Sequence, residues 1–249
     1  MLIRTALLKN AKPLFFRNYT RPTLHTQDSS FSEQAWQAAQ PYMQAILHHP
    51  FIEKVSQGTL DEDVFAHFLI QDQEYLHAYK RANTLIAKRA PPEHQAMLRN
   101  TANYTSTVEQ HAITYFQKQL QLKTSSRIND ATQEYTKVLL HSARFDPFAL
   151  AFALQLPCYR VFQTVAHHIA THTPIEDNKF KLWYSTYTNE RFQISTQNKI
   201  HTFDLLAQQQ TSAGREAMLA KFLEGMQLEC NFFNSLCAAD NTPALALQN

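Results

Sequence analysis

The sequence predicts an all-α fold, a single-domain helical bundle. Only three glycines occur among 249 residues, and no Asn-Gly or Asp-Gly dipeptide is present, so the turn chemistry of a large sheet is scarce. Apolar residues instead recur at steps of three or four, the period of one face of an α-helix. The length suits one large domain, and no internal repeat or low-complexity linker divides it.

The helical domain is predicted to span residues 30–240, with a short tail at 241–249. Residues 1–29 form a basic leader, which carries lysine and arginine but no acid before Asp28. This composition fits either a mitochondrial transit peptide or an unstructured basic tail. The basic-tail interpretation leads us to expect a cytoplasmic protein. If the leader is a transit peptide, the mitochondrial matrix is the alternative. The apolar runs of the leader are too short to cross a membrane.

Two capping boxes mark the starts of the first two predicted helices. Residues 30–33 open the first helix, which Pro50 then breaks. Residues 59–62 form the second capping box. The helix that follows runs toward Ala90, where two consecutive prolines end it.

The middle of the chain predicts three further helices. The third runs from about Glu93 to Leu122, with Tyr115 on its inward face, and a polar loop at 123–130 follows it. The fourth carries Tyr135. Asp146-Pro147 starts the fifth, with aspartate as the cap and proline at the first helical position.

Three helices are predicted after Thr173-Pro174. The first carries Trp183 and Tyr187, and the last runs from about Ala213 to Ala238. The helix between them lies in a stretch, 194–208, that is polar enough to leave its packing partner open.

Three reactive side chains fall on apolar faces of different predicted helices: Cys158, Asp72 and Glu229. Pro157 precedes the thiol inside its helix, which predicts a local kink that opens room there. A carboxylate in an apolar interior needs a hydrogen-bonded partner or a raised pKa, and either outcome suits an active site. For each group the structural alternative is a buried small thiol or a paired core acid.

Tyrosines provide candidate partners for these acids. Tyr75 lies one turn after Asp72, and Tyr135 and Tyr187 lie on apolar patterns of their own helices. Their phenols can hydrogen-bond a buried carboxyl group or a polar ring. Aromatic stripes at helical spacing are usually core, so it is the combination with the thiol and the acids that favours chemistry.

Composition excludes several classes of protein. The net charge of only +2 gives no sign of a nucleic-acid groove. Three cysteines at irregular spacing form neither a disulfide framework nor a zinc pattern, so a reducing compartment fits best. The single Glu-x-x-His, Glu74 to His77, turns away from the Asp72 face, and a helical di-iron site needs two such motifs. No metal site, and no serine, Walker or dinucleotide motif, is expected.

With these residues laid out, the chain resembles the TenA, or thiaminase II, family from about Phe31 to Ala239. The resemblance rests on residues 31–36, 49–51, 58–60, 69–72 with Tyr75, 156–159, Trp183, Tyr187, Phe192, Glu229 and Phe232. It implies the all-helical fold shared with haem oxygenase, a homotetramer, and no metal or organic cofactor.

The resemblance also implies roles for individual residues. Cys158 is the expected nucleophile and Glu229 the general acid and base, while Asp72 binds the aminopyrimidine ring. The remaining expected substrate contacts are Tyr75, Tyr135, Phe162, Tyr187 and Phe232. Phe162 stands where the family usually has a tyrosine, so one pocket hydroxyl is missing and the exact substrate is open.

The expected reaction converts 4-amino-5-aminomethyl-2-methylpyrimidine to the hydroxymethyl pyrimidine and ammonia in thiamine salvage, with thiamine itself a possible second substrate. Cys158 and Glu229 are then expected within hydrogen-bond reach, directly or through one water. Two alternatives stay open. One is a metal-dependent oxidase on the same fold, and the other is a non-catalytic pyrimidine-binding protein.

Overall fold

The computed structural model describes residues 29–104, 110–119, 127–172 and 177–236, and every regular element within these ranges is a helix. The predicted all-α fold is confirmed. The first 28 residues of the predicted leader, the predicted tail and Cys237 lie outside the described residues. Within the described ranges, no helix is both long enough and apolar enough to cross a bilayer.

Eleven helices account for the described part of the chain. They are α1 (Phe31–Ala38), α2 (Gln40–Leu47), α3 (Pro50–Ser56), α4 (Glu62–Ala87), α5 (Pro92–Tyr104), α6 (Gln110–Gln119), α7 (Asp130–Phe145), α8 (Phe148–His172), α9 (Lys181–Thr188), α10 (Glu190–Gln208) and α11 (Ser212–Leu236). The most extensive contacts join α8 to α11 and α4 to α7. These four helices carry most of the candidate site.

The first predicted helix is divided in the structure. The capping box of Ser30 and Glu33 is present as predicted. The chain then turns at Ala39, and Pro41 lies in the first turn of α2, where a proline is tolerated because no intrahelical N–H bond is needed. Pro50 begins α3, and the Nδ1 atom of His49 accepts the Phe51 N–H at 3.2 Å to cap it.

The second predicted capping box is wrong by two residues. Asp61, and not Thr59, caps α4, because its carboxylate accepts the Asp63 N–H at 2.8 Å. The Thr59 N–H is already used to close α3, donating to the carbonyl of Lys54 at 2.9 Å. Gly58 makes this closure possible with a φ of 69°, in the left-handed region that glycine occupies without strain.

The third predicted helix is described as α5 and α6, with residues 105–109 outside the described ranges. The inward position of Tyr115 is wrong, because this side chain is 46% exposed. Phe116 is buried in its place and meets Phe65 edge to face at a centroid distance of 5.3 Å. One residue along a helix turns a side chain by about 100°, so a small register error changes which face is buried.

The cysteine helix begins one residue later than predicted, at Phe148, with the Pro147 carbonyl accepting from Leu150 and Ala151. The Asp146 carboxylate forms an ion pair with Lys221 of α11 at 3.3 Å. Helix α8 continues through Pro157, which loses one backbone hydrogen bond there.

Candidate active site

A pocket opens between α4, α8, α9 and α10, with about 280 Å³ of space between its atoms, the mouth included. Its walls are formed by Asp72, Leu76, Tyr79, Cys158, Tyr159, Phe162, Tyr187 and Phe192. The pocket is therefore mostly aromatic, with one thiol and one carboxyl group on its walls. This composition suits a flat polar ring.

Helical periodicity places Asp72 and Cys158 on the inner faces of their helices, at this pocket. Asp72 shares the inner face of α4 with buried Leu69 and Leu76, and only 2% of its surface is exposed. Cys158 shares the inner face of α8 with Leu154 and Val161, and it is 8% exposed. Both predicted inward positions are confirmed.

Behind the pocket, three side chains from α4, α7 and α11 form a buried chain of hydroxyl and carboxyl groups. The Tyr135 hydroxyl donates to Oε1 of Glu229 at 2.7 Å. The Tyr75 hydroxyl points to the Tyr135 hydroxyl at 3.4 Å, a long contact, and the two rings lie 4.6 Å apart. The predicted tyrosine partner of a buried acid is thus Tyr135, for Glu229.

The two carboxyl groups hold their protons unusually tightly. Burial raises the pKa of Asp72 to about 7. Burial also raises the pKa of Glu229 to about 8. The hydrogen bond from Tyr135 lowers this pKa, whereas the charge of Asp72 raises it further. The Oδ2 atom of Asp72 has no hydrogen-bond partner among the described residues. An amino group or a protonated ring nitrogen would satisfy it.

Cys158 lies close to the tyrosine chain. Burial is the main cause that raises the pKa of Tyr75 and Tyr135 well above 10, and the charges of Cys158 and Glu229 raise both further. The thiol, the two phenols and the carboxyl group therefore share one electrostatic environment. A direct or water-bridged contact between Cys158 and Glu229 stays a prediction.

Aromatic rings line the pocket in a continuous series. Tyr159 stacks on Phe192 with ring centroids 4.8 Å apart and planes 4° from parallel. Phe192 meets Tyr187 edge to face at 5.2 Å, and Tyr187 lies 5.0 Å from Phe162. These contacts hold the wall in place, so it offers a preformed surface for stacking.

Four of the eight predicted site residues line the pocket: Asp72, Cys158, Phe162 and Tyr187. The other four, Tyr75, Tyr135, Glu229 and Phe232, are buried and are not among the wall residues. Phe232 packs against Tyr75 at a centroid distance of 6.4 Å. The structure brings all eight into one neighbourhood, in two layers.

Sequence reasoning did not assign the other four wall residues to the pocket: Leu76, Tyr79, Tyr159 and Phe192. Tyr79 and Leu76 lie on the same apolar face as Asp72, so helical spacing could have indicated them. Lys199 was also missed. It is 3% exposed, donates to the Thr101 hydroxyl at 2.8 Å and lies over the Tyr159 ring at 4.5 Å. A lysine in a polar stretch of sequence gives no sign of this burial.

No three histidine, cysteine, aspartate or glutamate side chains cluster as metal ligands within the described ranges. Glu74 and His77 are exposed on the outer side of α4, as their spacing from Asp72 predicts.

The arrangement of helices places the protein in a known class of fold. A TenA homologue of P. horikoshii OT3 superimposes with a TM-score of 0.75 at 20% identity, covering 84% of this chain and 98% of that one. The haem oxygenase of Leptospira interrogans superimposes with a TM-score of 0.56 at 16% identity, covering 83% and 100%. The fold is haem-oxygenase-like.

The chain belongs to the TENA/THI-4/PQQC family, whose sequence profile matches residues 36–239. An uncharacterised protein of Haemophilus influenzae is 30% identical over 181 residues, which cover 68% of this chain and 80% of that protein. The aminopyrimidine aminohydrolase of Bacillus subtilis is 25% identical over 208 residues, covering 82% and 88%.

Proposed function

We propose that the protein is an aminopyrimidine aminohydrolase of the thiaminase II type. One observation carries this proposal. Cys158 and Asp72 line the same aromatic pocket, the Oδ2 atom of Asp72 has no hydrogen-bond partner among the described residues, and Glu229 lies behind the pocket with a raised pKa. The proposed substrate is 4-amino-5-aminomethyl-2-methylpyrimidine, and thiamine is a second candidate. Similarity to the Bacillus subtilis aminopyrimidine aminohydrolase supports this substrate class.

Substrate binding begins with the ring edge. Asp72 accepts hydrogen bonds from the amino group and from a protonated ring nitrogen, which satisfies its Oδ2 atom. The ring stacks within the aromatic wall of Tyr159, Phe162 and Tyr187. Protonation makes the ring electron-poor and therefore open to attack.

Two chemical steps follow. The Cys158 thiolate forms a C–S bond to the ring, and the displaced electron pair expels the side-chain amine, which takes a proton from Glu229 and leaves as ammonia. The Glu229 carboxylate then removes a proton from water, and the water oxygen bonds to the methylene carbon that the amine has left. The electron pair returns through the ring and breaks the C–S bond, so the thiolate is restored.

The raised pKa of Glu229 suits this double role. An acid with a pKa of about 8 is protonated at neutral pH and can donate to a leaving amine. Tyr135 holds its carboxyl group in one orientation at 2.7 Å.

Release of ammonia and hydroxymethyl pyrimidine tests the proposal. Cys158→Ala is expected to abolish release, whereas Cys230→Ala serves as the matched control. Cys230 is also buried and in no disulfide, but its thiol donates to the Tyr42 carbonyl and it is not among the wall residues of the pocket. If the wild-type protein is inactive on both the aminopyrimidine and thiamine, the proposed function is wrong and the pocket binds another ligand.

A further inference from the structure

We propose that Asn129 is a positioning residue for the candidate active site, an inference that rests on the proposed function. Together with Gln71 and Ser235 it forms a hydrogen-bonded junction, here called the Asn129 junction. This junction joins the start of α7 to α4 and α11, the helices that carry Asp72 and Glu229.

The first arm of the junction reaches α4. The Asn129 N–H donates to Oε1 of Gln71 at 3.0 Å, and Nε2 of Gln71 donates to the Arg127 carbonyl at 3.1 Å. Gln71 is fully buried, so its amide has no water to replace these bonds. Because Gln71 directly precedes Asp72, this arm fixes the entry to α7 beside the carboxyl group that lines the pocket.

The second arm reaches α11. Nδ2 of Asn129 donates to the Ser235 hydroxyl at 2.9 Å, and that hydroxyl donates to the Phe232 carbonyl at 2.6 Å. Phe232 in turn packs on Tyr75. The arm therefore links α7 to the helix of Glu229 and to the aromatic ring behind the pocket.

The third polar group of Asn129 caps its own helix, because Oδ1 accepts the Thr132 N–H at 2.8 Å. The backbone carbonyl of Asn129 accepts the Gln133 N–H at 3.0 Å, so all four polar groups of this residue are engaged, two of them across helices. A cap alone would need only the side-chain oxygen.

The geometry explains why the junction matters to the site. Tyr135 lies six residues after Asn129, about 9 Å along the rigid axis of α7. Its hydroxyl lies 2.7 Å from Oε1 of Glu229, and an O–H···O hydrogen bond extends only to about 3.0 Å, so a small shift of α7 weakens it. The Asn129 junction sets the position of α7 against α11 on which this contact depends.

Asn129→Asp changes the contact of the Asn129 junction with Ser235 while it keeps the cap of α7. Aspartate keeps the oxygen that caps α7 but loses the Nδ2 donor, so Ser235 can bond to it only by turning its one hydroxyl proton away from the Phe232 carbonyl. Ser235→Ala removes the same bond from the other side. Asn231→Asp, an exposed position on α11, is the control for the added charge. We expect both junction variants to lower kcat about tenfold with KM within twofold of wild type, and the control to stay within twofold in both. Junction variants with wild-type kcat would overturn the proposal.

A second measurement needs no activity. Tyr135→Phe is expected to lower Tm in the wild-type background, and to lower it less than half as much in the Asn129→Asp background, because the hydrogen bond to Glu229 is already misaligned there. Fully additive Tm changes would overturn the proposal. If the wild type proves inactive on aminopyrimidines, the proposed function fails while this Tm comparison still decides the junction.

Discussion

At the residue scale, the contact between Tyr135 and Glu229 determines how the candidate acid behaves. The hydrogen bond opposes the rise that burial imposes on the pKa of Glu229. Tyr135→Phe should therefore raise this pKa and move the alkaline limb of the pH dependence of kcat above its wild-type position near pH 8. Steady-state rates between pH 6 and 10 measure the shift. An unchanged limb would mean that Glu229 is not the group that titrates there.

Phe162 is the residue at which substrate choice can be tested. Its ring lies 5.0 Å from Tyr187 and 6.3 Å from Trp183, whose indole N–H has no partner among the described residues. Phe162→Tyr adds a hydroxyl to this wall. We expect hydrolysis of the aminopyrimidine to be kept or raised, as measured by kcat/KM. Loss of activity in this variant would show that the pocket is built for a different ligand.

The buried acids also predict how stability depends on pH. The folded pKa of Asp72, about 7, lies above the unfolded value of about 4, so the folded state binds the extra proton. Its contribution favours folding below pH 4 and is lost as the pH rises toward 7. Asp72→Asn should therefore raise Tm at pH 8.5 and change it little at pH 4. Equal Tm changes at both pH values would contradict the raised pKa.

At the element scale, periodicity predicted the faces of the long helices well. The apolar faces assigned to α4, α8 and α11 are buried, together with Asp72, Cys158 and Glu229 on them. A side chain on a helix of some 25 residues has its direction fixed by spacing alone. Where the helices begin was predicted less well, because one proline or one carboxylate decides it, as Pro41 does for α2 and Asp61 for α4.

Gly225 shows what spacing could not indicate. A Cβ atom added there would lie 2.7 Å from the Leu154 carbonyl oxygen and 2.7 Å from Cγ of Pro157, so α11 approaches α8 directly beside the cysteine. Gly225→Ala is expected to lower Tm by several degrees, because backbone and a proline ring cannot move aside cheaply.

Gly214→Ala is the matched control on the same helix. Its added Cβ would lie 2.9 Å from Cβ and 3.0 Å from Oε1 of Gln210, in the connection between α10 and α11, and its nearest neighbours include no atom of another helix. Tm should therefore fall less than in Gly225→Ala, because the better helix propensity of alanine offsets the small shift that Gln210 must make. Calorimetry of both variants makes the comparison. A Gly225→Ala protein as stable as wild type would contradict the close packing of α8 on α11.

At the scale of the whole molecule, the candidate site is assembled from helices that are far apart in the sequence. Asp72 and Glu229 are separated by more than half of the chain, yet the charge of one raises the pKa of the other. Periodicity shows which way each residue faces but not which faces meet. The resemblance to a family supplied that pairing, and residues such as Gln71 and Lys199 could be placed only by the structure.

The homotetramer implied by the family resemblance stays a prediction at this scale. Light scattering of the purified protein is expected to give about four times the chain mass of 28.8 kDa. A mass of one chain at micromolar concentration would contradict it.

The most direct test of the central claim separates ring binding from chemistry. Titration calorimetry would follow binding of 4-amino-5-aminomethyl-2-methylpyrimidine to Cys158→Ala and to Cys158→Ala combined with Asp72→Asn, with ammonia assayed afterwards. The account predicts that Cys158→Ala binds the compound without releasing ammonia, and that the added Asp72→Asn weakens binding at least tenfold. Ammonia release by Cys158→Ala, or equal binding by the two variants, would contradict it.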